Sequence, residues 1–179
     1  MAYYYSPFRK EYDVQRPSGG CPFCNKALID KQKVSGADGA PIENEHYFWI
    51  VNWYPKYEGH TMLVPKRHIV TLAEETDKEA VARHRLSVFA AETLQRVYPG
   101  SGIEIFLQTG AGSQSSIPHL HWHVSPSLPN DPIRGFNKLG QFYTEEADKE
   151  KVLLFPVAIR LAREDLQRAI KDALTEESQ

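Results

Sequence analysis

His119-Leu120-His121-Trp122-His123-Val124-Ser125-Pro126 is the stretch on which the fold of this chain turns. Three histidines recur at every second position in an otherwise apolar run. Side chains of a β-strand leave by alternate faces. A strand from His119 to about Ser125, closed by Pro126, therefore puts three imidazoles on one face and Leu120, Trp122 and Val124 on the other. The apolar face suits a core. The imidazole face is costly unless partnered, because each buried neutral imidazole brings one donor and one acceptor nitrogen. Three in a row point to chemistry or to a metal.

Just upstream lies Gln108-Thr109-Gly110-Ala111-Gly112-Ser113-Gln114-Ser115-Ser116. Its glycines let backbone N–H groups approach a ligand, and its serines add neutral donors. It reads either as a phosphate cradle or as a plain surface turn. Gly59-His60-Thr61-Met62-Leu63-Val64-Pro65-Lys66-Arg67-His68 places a histidine at each end of an apolar strand. Cys21-Pro22-Phe23-Cys24 is a single C-x-x-C pair. Its spacing suits one tetrahedral zinc, with the histidines supplying the other two ligands. A redox pair or two plain thiols is the alternative. His46 and His84 lack such a setting and read as structural or exposed.

The chain has 179 residues, enough for one domain with a sizeable core. A net charge of −2 gives no electrostatic case for nucleic acid. No apolar run reaches the length of a membrane helix, and the first residues lack a secretory h-region. Two cysteines do not make a disulfide scaffold, so a cytoplasmic protein is expected.

Residues 1–17 read as an aromatic-rich arm, 18–128 as the main domain and 129–179 as an extension ending in a helix. Strands are expected at Tyr47–Val51, Thr61–Val64 and Ile103–Leu107, with a loop over 31–45 and irregular chain over 129–140. Thr76 and Glu79 form a capping-box pattern that opens a helix over 77–97, with Ala82, Leu86, Phe89, Thr93 and Val97 on one stripe. A last helix is expected from about Val157 to Leu174, presenting Ala162, Leu166, Ile170 and Leu174. The expected class is α+β: an antiparallel sheet of about five strands with the long helix packed on it, plus the C-terminal helix.

In order and spacing, these segments resemble the histidine-triad (HIT) superfamily of nucleotide hydrolases and transferases, over roughly residues 20–128. The family pattern alternates three histidines with apolar residues and ends in two apolar positions, the second of which is Ser125 here. Its Gly-His…Pro-Lys-x-His segment is matched by Gly59–His68. The resemblance implies a HIT-like fold and a nucleotidyl-histidine intermediate formed by His121 on the α-phosphate of a nucleoside phosphoanhydride or phosphoramidate, such as a diadenosine polyphosphate. It implies that His123 and His60 hold the transferred phosphate. It implies that Asn52 contacts ribose and that Gln108, Ser115, Ser116 and His123 bind nucleotide. The family's glutamine position is Ser115 here. In zinc-bearing members the ligands correspond to Cys21, Cys24, His68 and His119, and the zinc is structural. A homodimer is implied as well. The stretch Tyr5–Tyr12 followed by Cys-Pro-Phe-Cys is similar to bacterial diadenosine-tetraphosphate phosphorylase-like members, which adds phosphorolysis to hydrolysis. A non-catalytic nucleotide-binding adaptor with a structural zinc is the alternative. A DNA-end adenylate remover of the aprataxin type would need basic surface, and the uridylyl-transferase branch carries glutamine where His123 stands.

Overall fold

A computed structural model describes residues 3–8, 11, 20–113, 115–131, 154–156 and 158–176. Its elements, in order, are β1 (Tyr3–Tyr5), α1 (Lys26–Gln32), β2 (Tyr47–Val51), β3 (Thr61–Pro65), α2 (Asp77–Val97), β4 (Gly102–Leu107), β5 (Trp122–Ser127), β6 (Leu154–Pro156) and α3 (Arg163–Glu176). The main sheet is antiparallel with order β2-β3-β5-β4. β1 and β6 form a separate parallel pair. Most of the expected 1–17 arm, Gln114, Val157 and residues 132–140 lie outside the described residues.

β2 and β3 are buried on both faces. On one, Trp49, Leu63 and Val124 pack with Leu86, Ala90 and Leu94 of α2 and with Leu166, Ile170 and Leu174 of α3. On the other, Ile50, Met62 and Val64 pack with Phe23 and Ile29. α2 forms where the capping box requires: Thr76 Oγ1 accepts from the Glu79 N–H, and the Glu79 carboxylate accepts from the Thr76 N–H at 2.8 Å. Arg67 adds a two-pronged contact to the same carboxylate, at 2.9 and 2.8 Å. No helix among the described residues is long and apolar enough to cross a membrane.

The α+β class holds, with four strands in the main sheet where about five are expected. The segment beside β2 supplies only the isolated bridges Lys33–Ile50, Ser35–Pro41 and Glu43–Phe48, because the turn at Gly36–Gly39 folds it onto itself. α1 was not expected. Asn25 starts it by accepting from the Leu28 N–H. The last helix begins at Arg163, later than about Val157. Arg160 and Leu161 donate their N–H groups to the Glu58 carboxylate at 2.6 and 3.0 Å, outside any helical ladder.

The histidine strand is shifted as well. Its regular part runs from Trp122 to Ser127 and includes Pro126. β3 last pairs with β5 at Thr61–Val124, so at Pro126 only β4 is a neighbour and no N–H is missed. Gly59 lies over Pro126 in place of β3. Its φ is +62°, and a Cβ there would sit 2.5 Å from the Pro126 ring and 2.9 Å from Tyr98. Before Trp122 the chain leaves the ladder: His119 donates its N–H to Ile117 and Leu120 to Ile69.

Loop 52–59, which leads into His60, gathers both ends of the chain. Asn52 donates its N–H to the His60 carbonyl at 2.9 Å. Ser6 donates to the Pro55 carbonyl. Arg163 donates to the Trp53 carbonyl at 2.9 Å and pairs with Glu11. Tyr98 donates its hydroxyl to Glu58 at 2.7 Å.

Candidate functional site

From Trp122 to Val124 the strand alternates as expected. Trp122 and Val124 join the helix-covered core, while the imidazoles of His119 and His121 meet Phe23 on the opposite side. All three triad histidines and His60 are buried. They sort into two groups.

The first group is a metal-type cluster. Nδ1 of His119 lies 3.3 Å from Cys21 Sγ and 3.6 Å from Cys24 Sγ, and Nδ1 of His68 lies 3.3 Å from Cys24 Sγ. The four donor atoms all fall within 4.8 Å of one another. A tetrahedral zinc with Zn–S near 2.3 Å and Zn–N near 2.0–2.1 Å sets sulfur and nitrogen about 3.5 Å apart, so the donors fit that ion. The pattern beyond the donors also fits. His119 Nε2 donates to the Pro65 carbonyl at 2.9 Å, which leaves Nδ1 as a lone pair aimed at the thiols. Burial holds His119 down at about 4, so the ring is neutral as a ligand must be. Burial, then the neighbouring Cys21, push the Cys24 thiol up, a crowding that a cation relieves. Cys21, Cys24, His68 and His119 are thus brought together.

The second group is a set of imidazoles with defined protons. His121 Nδ1 donates to the His119 carbonyl at 2.8 Å, because a carbonyl only accepts. Its lone pair therefore sits on Nε2. Burial lowers His121 below the ordinary histidine range, the His119 carbonyl opposes that shift, and Lys56 reinforces it. The ring is neutral at neutral pH. His60 Nδ1 accepts from the Lys56 N–H at 3.3 Å, so its Nε2 carries the proton and donates to His123 Nδ1 at 2.8 Å. His123 in turn carries its proton on Nε2. The pair is enclosed by aromatic rings: Tyr57 stacks on His60 at 4.2 Å and Phe106 on His123 at 4.6 Å.

Asn52 is beside this pair. Its Oδ1 accepts from the Tyr54 N–H at 2.9 Å, and its amide nitrogen is 3.2 and 3.4 Å from the two ring nitrogens of His60. Gln108 follows Leu107, the last residue of β4 and the partner of Trp122. Its amide donates to the Ser113 carbonyl at 2.7 Å and closes the loop. Ser115 donates to the Ile117 carbonyl at 3.1 Å, and Ser116 is exposed on the same loop. In this state the side chains of Gln108 and Ser115 brace the loop itself. His46 is half-buried and His84 exposed.

Sequence reasoning missed Phe23, Tyr57, Phe106 and the Pro65 carbonyl. Phe23 carried a signal, being an apolar residue between the two cysteines of the C-x-x-C pair. The other three depend on cross-strand register and loop geometry, for which the local sequence has no mark.

A family model described as HIT domain matches residues 38–130. The chain is 32% identical over 116 residues to a 16.1 kDa HIT-like protein of Mycoplasma pneumoniae, covering 63% of this chain and 77% of that one. It is 25% identical over 133 residues to the AP-4-A phosphorylase of Mycobacterium tuberculosis, covering 71% and 68%. Among solved structures it resembles a histidine triad nucleotide-binding protein of Sulfolobus tokodaii, with a TM-score of 0.59 at 19% identity over 87% of this chain and 93% of that one. A Zn-bound histidine triad family protein of Mycobacterium smegmatis gives 0.52 at 22% identity over 89% and 96%. The fold is therefore HIT-like.

Proposed function

The chain belongs to the HIT domain family, and on that premise we propose that it is a nucleotidyl hydrolase or phosphorylase working through His121. The observation that carries this reading is the His121 Nδ1–H donated to the His119 carbonyl at 2.8 Å, which commits the Nε2 lone pair of a neutral ring to attack. Nε2 bonds to the α-phosphorus of a nucleoside phosphoanhydride or phosphoramidate as the bond to the leaving oxygen or nitrogen breaks with its electron pair. His123 holds the leaving atom by a hydrogen bond from its Nε2–H, and that atom takes its proton from water. Water or inorganic phosphate then attacks phosphorus, gives up its surplus proton to solvent, and releases His121 with its lone pair. His60 steadies His123 through their shared hydrogen bond. Loop N–H groups near Ser115 and Ser116, with Gln108, hold the phosphate oxygens, and Asn52 lies on the side of the ribose.

Diadenosine polyphosphates are the substrate class, supported by the likeness to an AP-4-A phosphorylase. Zinc at Cys21, Cys24, His68 and His119 would supply rigidity, with no ligand position left open for substrate. The division into a 1–17 arm, an 18–128 domain and a 129–179 extension belongs to this reading, as does a cytoplasmic location. A homodimer fits the exposed Ile105 on the edge strand β4, and light scattering tests it.

The deciding experiment is turnover of a panel of adenylylated and guanylylated compounds, with and without phosphate, combined with acid-quench trapping of the labelled intermediate. Release of a nucleoside monophosphate or diphosphate through an adduct that His121→Ala cannot form supports the reading. Absence of turnover across the panel overturns it.

A further inference from the structure

Phe23 is the apolar residue held between the two thiols of the cluster. The turn Pro22–Cys24 is closed by hydrogen bonds from Cys24 N–H to the Cys21 carbonyl and from Asn25 N–H to the Pro22 carbonyl, at 3.1 and 3.3 Å. It buries the Phe23 ring among Ile29, Ile50, Met62 and Val64. The ring lies 5.1 Å from the His121 ring at 64°, and 5.6 Å from His119 at 88°, both edge-on contacts. His123 bounds His121 from another direction at 4.8 Å and 71°. His121 is thus tied at Nδ1 and bounded by Phe23 and His123. Two of these restraints lead back to the cluster: the accepting carbonyl belongs to the ligand His119, and the ring belongs to the turn between ligands Cys21 and Cys24.

Building on the role given to His121 above, we propose that Phe23 is a positioning residue for the nucleophile, and that the cysteine turn transmits metal occupancy to the geometry of His121. With the turn pinned, Phe23 limits rotation of the His121 ring about its side-chain bond, and Nε2 keeps one direction. With the turn released, Phe23 retreats and the ring samples more directions. Nucleotide binding is spared, while formation of the nitrogen–phosphorus bond slows.

The test compares zinc-loaded wild type, Phe23→Leu, Phe23→Ala and zinc-stripped wild type, with metal content and melting temperature measured for each. Histidine ring resonances are followed by proton–nitrogen correlation spectra, and turnover is measured with diadenosine tetraphosphate. Phe23→Ala is expected to keep its zinc and its KM while kcat falls roughly 10- to 100-fold, and Phe23→Leu to recover part of that loss. The His121 signals broaden in Phe23→Ala and in the stripped protein, while those of His60 and His123 hold. Stripping Phe23→Ala lowers kcat by much less than stripping wild type, because both changes remove the same restraint. Unchanged His121 signals in Phe23→Ala, or equal losses on stripping both proteins, overturn the proposal. The spectra test positioning even if no substrate turns over, so its failure is distinguishable from failure of the catalytic reading. Should Phe23→Ala not fold, Phe23→Leu carries the same comparison.

Discussion

His60 and His123, 63 residues apart in the chain, share a hydrogen bond of 2.8 Å between Nε2 and Nδ1. The Lys56 N–H behind His60 gives that bond its direction. His60→Ala would strand the buried Nδ1 of His123 and release its proton preference. The expected cost is about 1–3 kcal/mol in stability, and a kcat loss of roughly 10²-fold or more. Denaturant unfolding and steady-state kinetics check both. A variant with unaltered kcat would remove His60 from the mechanism.

His121→Ala is expected to abolish nucleotide release, by at least roughly 10³-fold, while AMP binding measured by calorimetry survives. Persistent turnover would transfer the nucleophile's role to another group.

Cys24→Ser is expected to lose most of its zinc by elemental analysis and to melt at a lower temperature than wild type, since the cluster joins the turn at residues 21–24 to His68 and His119. Equal zinc content in the two proteins would count against the four-ligand site.

Glu79 gives a pH prediction of known sign. Arg67 first, then the Thr76 hydrogen bonds, hold its carboxyl down from 4.5 to about 2 against the opposing effect of burial. A depressed carboxyl stabilises the fold above its ordinary value, and that contribution drains away as pH falls from 4.5 towards 2. Glu79→Gln should therefore be less stable at neutral pH, and its stability should fall less steeply across that window. Parallel acid-unfolding curves would refute this.

Gly59→Ala combines a φ of +62° with a Cβ 2.5 Å from Pro126. Strain and overpacking together should cost about 2–4 kcal/mol. A melting curve matching wild type would show that Pro126 or Tyr98 yields easily.

Much of the fold was legible where local rules and packing agree. β2 and α2 end where the sequence places them, since aromatic and β-branched content marks one and a capping box opens the other. The grouping of Cys21, Cys24, His68 and His119 followed from the family resemblance, and the structure assembles it. The start of α3 was not legible. The N–H groups of Arg160 and Leu161 go to Glu58, a hundred residues away in sequence, and Arg163 enters the helix at a φ of 51°. The irregular backbone at His119–His121 was equally hidden, because it follows from the Pro65 carbonyl and the thiols rather than from strand propensity.

Leu120 alone separates His119, a member of the metal-type cluster, from His121, a member of the imidazole set. An extra codon between His119 and Trp122 would exchange inward and outward side chains and uncouple the two tasks at a stroke. The same addition within the exposed turn of residues 37–40, outside both histidine groups, would lengthen that turn alone. Natural variation in chain length should therefore gather in that turn and be absent between residues 119 and 122.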